Sequence, residues 1–186
     1  GGILGPLRDK NSLPMLTVQG FGDHQVAMNL AAGVLAALFK AKMTGEGDHV
    51  VVSLFHSAIW DISLMLQASQ YGADSTQYPM ERWKLGNPLV LCYETADGQW
   101  LQIAMPQYDR HYPILMNAMG YPELADDARY YPQKNLIPNR EEFSAWITAE
   151  FKKKTCDEWC KLLDANDLPY AIAQEWDSLL EYKQAW

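Results

Sequence analysis

Gly20-Phe21-Gly22-Asp23-His24-Gln25 is the stretch of this 186-residue chain whose residue types and spacing come nearest to a chemical site. Its two glycines let backbone approach a ligand closely. An acid, an imidazole and an amide follow at the start of a predicted helix, a grouping that can orient an acyl carbonyl or trade protons. The plain alternative is that Asp23 caps the helix and His24 is an ordinary first-turn residue. Spacing alone leaves both readings open.

Other chemistry-bearing residues carry weaker signals. His49 and His56 flank a Val-rich run, and His56 is expected to pack at a helix start. His111, between Tyr108 and Tyr112, is expected at a surface or interface. Arg82 and Lys84 sit beside a Pro- and Gly-bearing segment, as a solvated linker or as a meeting point for a phosphate or carboxylate. Cys156 and Cys160 share a helix face without a further ligand at metal spacing, which predicts helix packing and no metal site. With Cys92 they make an odd, sparse count that fits a reducing, cytoplasmic compartment. No nucleophile elbow, P-loop, H-E-x-x-H or EF-hand loop occurs, and Gly20-x-Gly22 lacks the third glycine of a dinucleotide fingerprint.

Composition narrows the classes further. Lys and Arg number 15 against 23 Asp and Glu, for a net charge of -8, and 48% of residues are apolar. That is a globular composition without the basic stripe of a nucleic-acid binder. The longest continuous apolar run, near Met28–Phe39, is about a dozen residues, short of the ~20 that span a bilayer. No membrane partner is therefore expected.

These residues need elements to hold them. Residues 1–23 read as loop. Residues 24–43 read as a helix capped by Asp23, apolar on nearly every face, as in a helix buried in a larger body. Thr44-Gly45-Glu46-Gly47 stops it. His49–Leu54 predicts a strand buried on both faces, and 55–71 a second helix capped by Ser53. Residues 72–89 resemble a linker. Asp97-Gly98 predicts a type I′ hairpin between 90–95 and 99–105. Helices are expected over 108–118, from a capping box at Asn139 and Glu142 to about 153, and from a second at Thr155 and Glu158 to about 164. A short strand at 169–173 and a last helix from 174 or 175 complete the pattern.

The ordered segments resemble the family III CoA-transferases, together with the related acyl-CoA racemases. The likeness runs through Gly22-Asp23, Leu30–Leu38, Lys42–Gly47 and Val50–Leu54. It continues through Tyr93–Gly98, Glu123–Arg129, Asn139–Glu142, Thr155–Trp159 and Asp167-Leu168-Pro169. Gly1–Leu7 with Val18–Gln25 look most like the 2-hydroxyacyl-CoA transferases of amino-acid-fermenting anaerobes.

The resemblance implies an α/β fold, α+β in the small domain. Residues 1–75 would end the first segment of a Rossmann-like large domain, 76–89 would link, and 90–173 would form a small domain with antiparallel sheet and helices. Residues 174–186 would begin the return. Two subunits would interlock as a homodimer. It implies transfer of CoA between an acyl-CoA and a free carboxylic acid through covalent aspartyl intermediates, with the CoA thioester as substrate and no prosthetic group. The nucleophilic Asp is expected upstream of Gly1, so the chain alone is expected to be an inactive piece with apolar patches exposed. Gly22, Asp23, His24 and Gln25 are then candidates for the acyl pocket, and Gly86 and Asn87 for a lid. A racemase, or a catalytically silent binding module, is the alternative. Met105 stands where the racemases place a carboxylate, which favours the transferase.

Overall fold

The structure, a computed structural model, describes residues 17–73, 81–84 and 86–183. Residues 1–16 of the predicted loop, and 74–80 and 85 of the predicted linker, lie outside the described residues. The chain divides into two compact units, Gly1–Glu81 and Arg82–Trp186. Among the described residues helix and strand are both present, and the sheet lies in the second unit.

The described elements of the first unit are helices. Helix α1 spans Phe21–Thr44 and begins one turn earlier than the sequence suggests. Its N-cap is Gly20 in a left-handed conformation (φ 79°) with no side-chain cap, so Asp23 lies in the first turn instead of capping it. Gly45, at φ 76°, closes the helix by donating its N–H to the Ala41 carbonyl at 2.8 Å. Lys40 pairs with Asp48 at 2.8 Å across the turn that follows.

No residue of α1 is buried within this chain, and Met28, Leu35, Phe39 and Met43 are each about two-thirds exposed or more. By length and composition α1 could cross a membrane, contrary to the shorter run counted from the sequence, because its apolar average holds over 18 residues that include at most two charges. The core helix of a soluble protein passes the same test.

The strand predicted over 49–54 does not form. Residues 46–53 are irregular, since no neighbouring strand among the described residues of this unit offers them a hydrogen-bonded edge. Val50 packs on α1 instead. A Cβ built on Gly33 would meet its Cγ1 at 2.7 Å, so the helix has a notch of about one methyl there. Ser53 caps α2 (Leu54–Asp61), accepting from the His56 N–H at 3.1 Å. The single helix predicted over 55–71 is two, because Ile62 (φ -100°, ψ 14°) breaks the run before α3 (Ser63–Ser69). His56 is exposed, not packed.

The second unit holds β1 (Cys92–Glu94), β2 (Trp100–Ile103), α4 (Tyr108–Met119), α5 (Gln133–Leu136), α6 (Arg140–Phe151), α7 (Cys156–Ala165) and β3 (Tyr170–Ile172). The strands form one antiparallel sheet in the order β1-β2-β3, with Tyr93 opposite Leu101 and Leu101 opposite Ile172. The hairpin turn is not type I′, which needs positive φ at both central residues. Only Gly98 is left-handed (φ 77°), and Thr95 receives the Gly98 N–H while donating its own to Gln99. This is a three-residue loop with glycine in the bulge position.

The Asp97 carboxylate in that loop accepts from the Thr95 hydroxyl at 2.5 Å and from the Cys156 N–H at 3.2 Å, tying the hairpin to the first turn of α7. Thr155 and Glu158 form the predicted capping box beside it. Asn139 does not form its box. Its amide donates instead to the Arg129 carbonyl at 2.9 Å. The helix predicted from 174 shrinks to a single 3-10 turn at Ser178–Leu180.

The core of this unit lies between the sheet and helices α4, α6 and α7. Leu101, Ile103, Met105, Leu115, Phe143, Ile147 and Leu163 are all fully buried in it. Phe151 stacks on Tyr93 (4.6 Å between centroids) and packs at a tilt of 32° on Trp159 (4.5 Å).

Two outcomes follow. Gly33→Leu overfills the notch and should cost about 1–3 kcal/mol, read as a lower denaturant midpoint of the chain. Hydrogen bonding from Thr95, and then from the Cys156 backbone, holds the Asp97 carboxyl below its usual range. A depressed pKa contributes stability that is present above about pH 4 and is lost as pH falls through the folded value. Asp97→Asn should therefore be less stable than the parent at pH 7, with the gap narrowing in urea melts at pH 3. An equal gap at both pH values refutes the assignment.

Candidate functional site

The N-terminal end of α1 and the facing side of α2 form the candidate site of the first unit. Gly20, forced to positive φ, turns the chain into the helix. A Cβ there would stand 3.3 Å from the His24 ring, so that imidazole lies folded against the turn. The His24 N–H returns to the Gly20 carbonyl at 2.9 Å. Gly22 approaches Leu54 closely, its built Cβ lying 3.4 Å from Leu54 Cδ2.

A groove of about 200 Å³ opens here, lined by Phe21, Gly22, Gln25, Leu54, Ser57 and Asp61 among others. Of the residues singled out in the sequence, Gly22 and Gln25 line it. Asp23 and His24 are exposed one position round the helix and do not. The structure thus splits the predicted cluster into a groove pair and an outward pair, as the 100° step of a helix requires.

Two residues that the sequence reading did not single out complete this groove. Gln25 Nε2 donates to Asp61 Oδ1 at 2.5 Å, and Asn29 Nδ2 to Ser57 Oγ at 2.8 Å. Gln25 and Asn29 are four apart on α1, and Ser57 and Asp61 four apart on α2, so the helices pair antiparallel through a two-rung polar ladder. The available signal was that matched four-residue spacing of polar residues in otherwise apolar helices. The first rung fixes the Gln25 amide, and no described residue donates a hydrogen bond to its oxygen.

The Asp23 carboxylate stands in the first turn of α1, where the helix dipole favours negative charge. No hydrogen bond or ion pair joins it to another described residue.

Gly86 and Asn87 belong to the second unit and are used structurally. Asn87 Nδ2 donates to the Met105 carbonyl at 3.0 Å, and its Oδ1 accepts from the Leu89 N–H at 2.8 Å. Gly86 offers its carbonyl to Gln133 Nε2 at 3.1 Å. Met105 is fully buried. Arg82 lies over the Tyr93 ring, 4.8 Å from its centroid, as a packed side chain and not as a solvated linker residue.

Cys156 is buried, and burial, with Cys160 beside it, pushes its thiol up to about 11, as in an inert packing cysteine. Among the described residues no cluster of His, Cys, Asp and Glu has metal-holding geometry.

The chain has relatives among known proteins over nearly its whole length. The profile of CoA-transferase family III matches residues 2–185. The chain is 43% identical over 187 residues to a cinnamoyl-CoA:phenyllactate CoA-transferase of Clostridium sporogenes, covering 100% of this chain and 45% of that protein. It is 36% identical over 186 residues to a (R)-2-hydroxy-4-methylpentanoate CoA-transferase of Clostridioides difficile, covering 100% of this chain and 46% of that one. The chain therefore spans about half the length of the curated relatives it matches.

Among solved structures, Rv3272 of Mycobacterium tuberculosis shares the fold. The TM-score is 0.78 at 24% identity, over 99% of this chain and 47% of that one. A variant of the same protein with an aspartate replaced by alanine matches at 0.74, with 24% identity over 99% of this chain and 46% of that one.

A double-mutant cycle tests the ladder. Gln25→Leu and Asp61→Leu, alone and together, should show a coupling of about 0.5–1 kcal/mol in denaturant unfolding. Additive losses would mean the two side chains do not pair in solution.

Proposed function

Because the chain belongs to CoA-transferase family III, we propose that the whole protein transfers CoA from an acyl-CoA to a free 2-hydroxy acid. The observation that carries the substrate class is the end-to-end likeness of this chain to two transferases named for phenyllactate and 2-hydroxy-4-methylpentanoate. An apolar groove with one fixed amide suits such acids, since Gln25 offers a hydrogen-bond acceptor to a 2-hydroxyl beside Phe21 and Leu54.

In this reading a carboxylate oxygen attacks the thioester carbonyl, forming a mixed anhydride and releasing CoA thiolate. The thiolate then attacks the aspartyl carbonyl, giving an aspartyl-CoA thioester and freeing the donor acid. The acceptor carboxylate attacks that thioester, and the departing thiolate returns to the acceptor's carbonyl, regenerating the aspartate. Charge and atoms balance without an oxidant or reductant. Each tetrahedral oxyanion needs backbone donors nearby, a role suited to the glycine-flanked turn before α1.

Two positions compete for the nucleophile. The family likeness suggested a carboxylate upstream of Gly1 and matched Asp23 instead to the proton-transfer acid of the racemases. What supports Asp23 is its exposed carboxylate in a helix first turn, beside two glycines that admit a substrate and one position round the helix from the groove. We assign the role to Asp23, and place the whole protein in the cytoplasm as a homodimer.

The test uses the full-length protein with cinnamoyl-CoA and phenyllactate. Exchange of CoA should be observed, and Asp23→Asn should reduce kcat by a factor of at least about 10³ with little loss of CoA binding. Hydroxylamine added during turnover should mark the peptide bearing Asp23. Retained exchange in Asp23→Asn, with the mark on an upstream peptide, moves the nucleophile but keeps the transferase. Absence of exchange in the parent protein overturns the reading.

A further inference from the structure

The groove at the start of α1 owes its room to two small residues, Gly22 and Ala58. Its α2 wall is Leu54, Ser57, Ala58 and Asp61, spaced three and four apart so that all four share one helix face. They form two rows. Ser57 and Asp61 are a polar row, already engaged by Asn29 and Gln25. Leu54 and Ala58 are an apolar row, which the groove sets with Phe21 and Gly22 of α1. Phe21 and Leu54 each keep about half of their surface exposed.

Space at these positions is limited. A Cβ on Gly22 would already stand at contact distance, 3.4 Å from Leu54 Cδ2. Ala58 lies about one turn from both Leu54 and Asp61, so a longer side chain there projects into the space they line. The groove measures about 200 Å³. A closed apolar cavity of about 150 Å³ takes a benzene ring. There is room, then, for one aryl or branched alkyl side chain, whereas a methyl group would leave most of the groove to water. Attraction grows with the apolar area removed from water, which favours the larger group.

With the CoA transfer proposed above as the premise on which this rests, we propose that Ala58 is a specificity-determining residue for the acid. Its methyl leaves the apolar half of the groove open, and the protein selects 2-hydroxy acids with an aryl or branched alkyl side chain over lactate. That side chain lies along Leu54 and Ala58 with Phe21 beside it, and the 2-hydroxyl reaches Gln25. Gly22 lines the groove and Asp23 follows it in the chain, so the groove begins next to the carboxylate assigned as nucleophile.

The test gives the full-length protein one acyl-CoA donor and an equimolar mixture of phenyllactate, lactate and indole-3-lactate. Competing acids share the donor half-reaction, so the ratio of CoA esters formed is the ratio of their kcat/KM values. The parent should favour phenyllactate over lactate at least about tenfold. Ala58→Leu keeps a good helix former in α2 and should lower that ratio at least about tenfold. Leu54→Ala widens the same row and should raise indole-3-lactate against phenyllactate at least about threefold. Should Ala58→Leu fail to fold, seen in its thermal midpoint, the Leu54→Ala ratio decides alone. An equal fall in transfer to all three acids marks lost packing and overturns the assignment, as does an unchanged ratio in either folded variant. Exchange in the parent without preference among the acids overturns the size selection and leaves the transferase standing. Absence of any exchange in the parent overturns the transferase, and this assignment with it.

Discussion

The second unit depends on a column of three packed rings. Tyr93 comes from the first strand, Phe151 from the end of α6 and Trp159 from α7, so one column joins the sheet to two helices. Large aromatic surfaces gain most from burial, but tyrosine and tryptophan each bring a polar atom that must be paired inside. Both are paired. Tyr93 donates its hydroxyl to the Pro88 carbonyl at 2.7 Å, and Trp159 donates Nε1 to the Phe151 carbonyl at 2.8 Å. Burial raises the Tyr93 phenol well above its ordinary range, so it stays a donor across the whole working pH scale. The column therefore sets where the ends of α6 and α7 lie. The Asp97 bridge then fixes the hairpin on the first turn of α7.

Other tyrosines solve the same problem in the same way. Tyr108 and Tyr112 stack 4.9 Å apart and send their hydroxyls to the carbonyls of Tyr130 and Leu124. The segment after α4, rich in turns and poor in regular structure, is held by side chains where a backbone ladder is missing. Glu150 is buried beneath it, paired with Tyr121 at 2.7 Å and with Lys153. A buried carboxylate is tolerated there because both partners are in place.

The sequence showed most where local physics decides. Gly45, Ser53 and the Thr155–Glu158 box mark helix ends through bonds that close within a few residues, and each stands where its type requires. The sequence showed least where the partner is distant. Val50–Val52 have strand propensity but no edge to join among the described residues, and Ile62 breaks a helix that periodicity alone would continue. Asn139 finds the Arg129 carbonyl more accessible than its own helix. At the candidate site, the residue types at Gly22–Gln25 were visible, but their division between groove and solvent needed the helix phase. Asp61 and Ser57 needed the pairing of α1 with α2, which one sequence records only as matched spacing. His111, which is buried, shows the reverse error. Tyrosine neighbours were read as a surface sign, yet Tyr108 and Tyr112 are themselves core residues.

The absence of any buried residue along the 24 residues of α1 has a kinetic meaning. Its amides are protected within this chain only by the helix's own hydrogen bonds, which open singly from the ends and in short stretches. Amides of β1 and β2 sit over a closed core and exchange only when that core opens. Two time scales of hydrogen exchange should therefore coexist in one polypeptide. Any surface that covers α1 would move its amides from the fast class to the slow one.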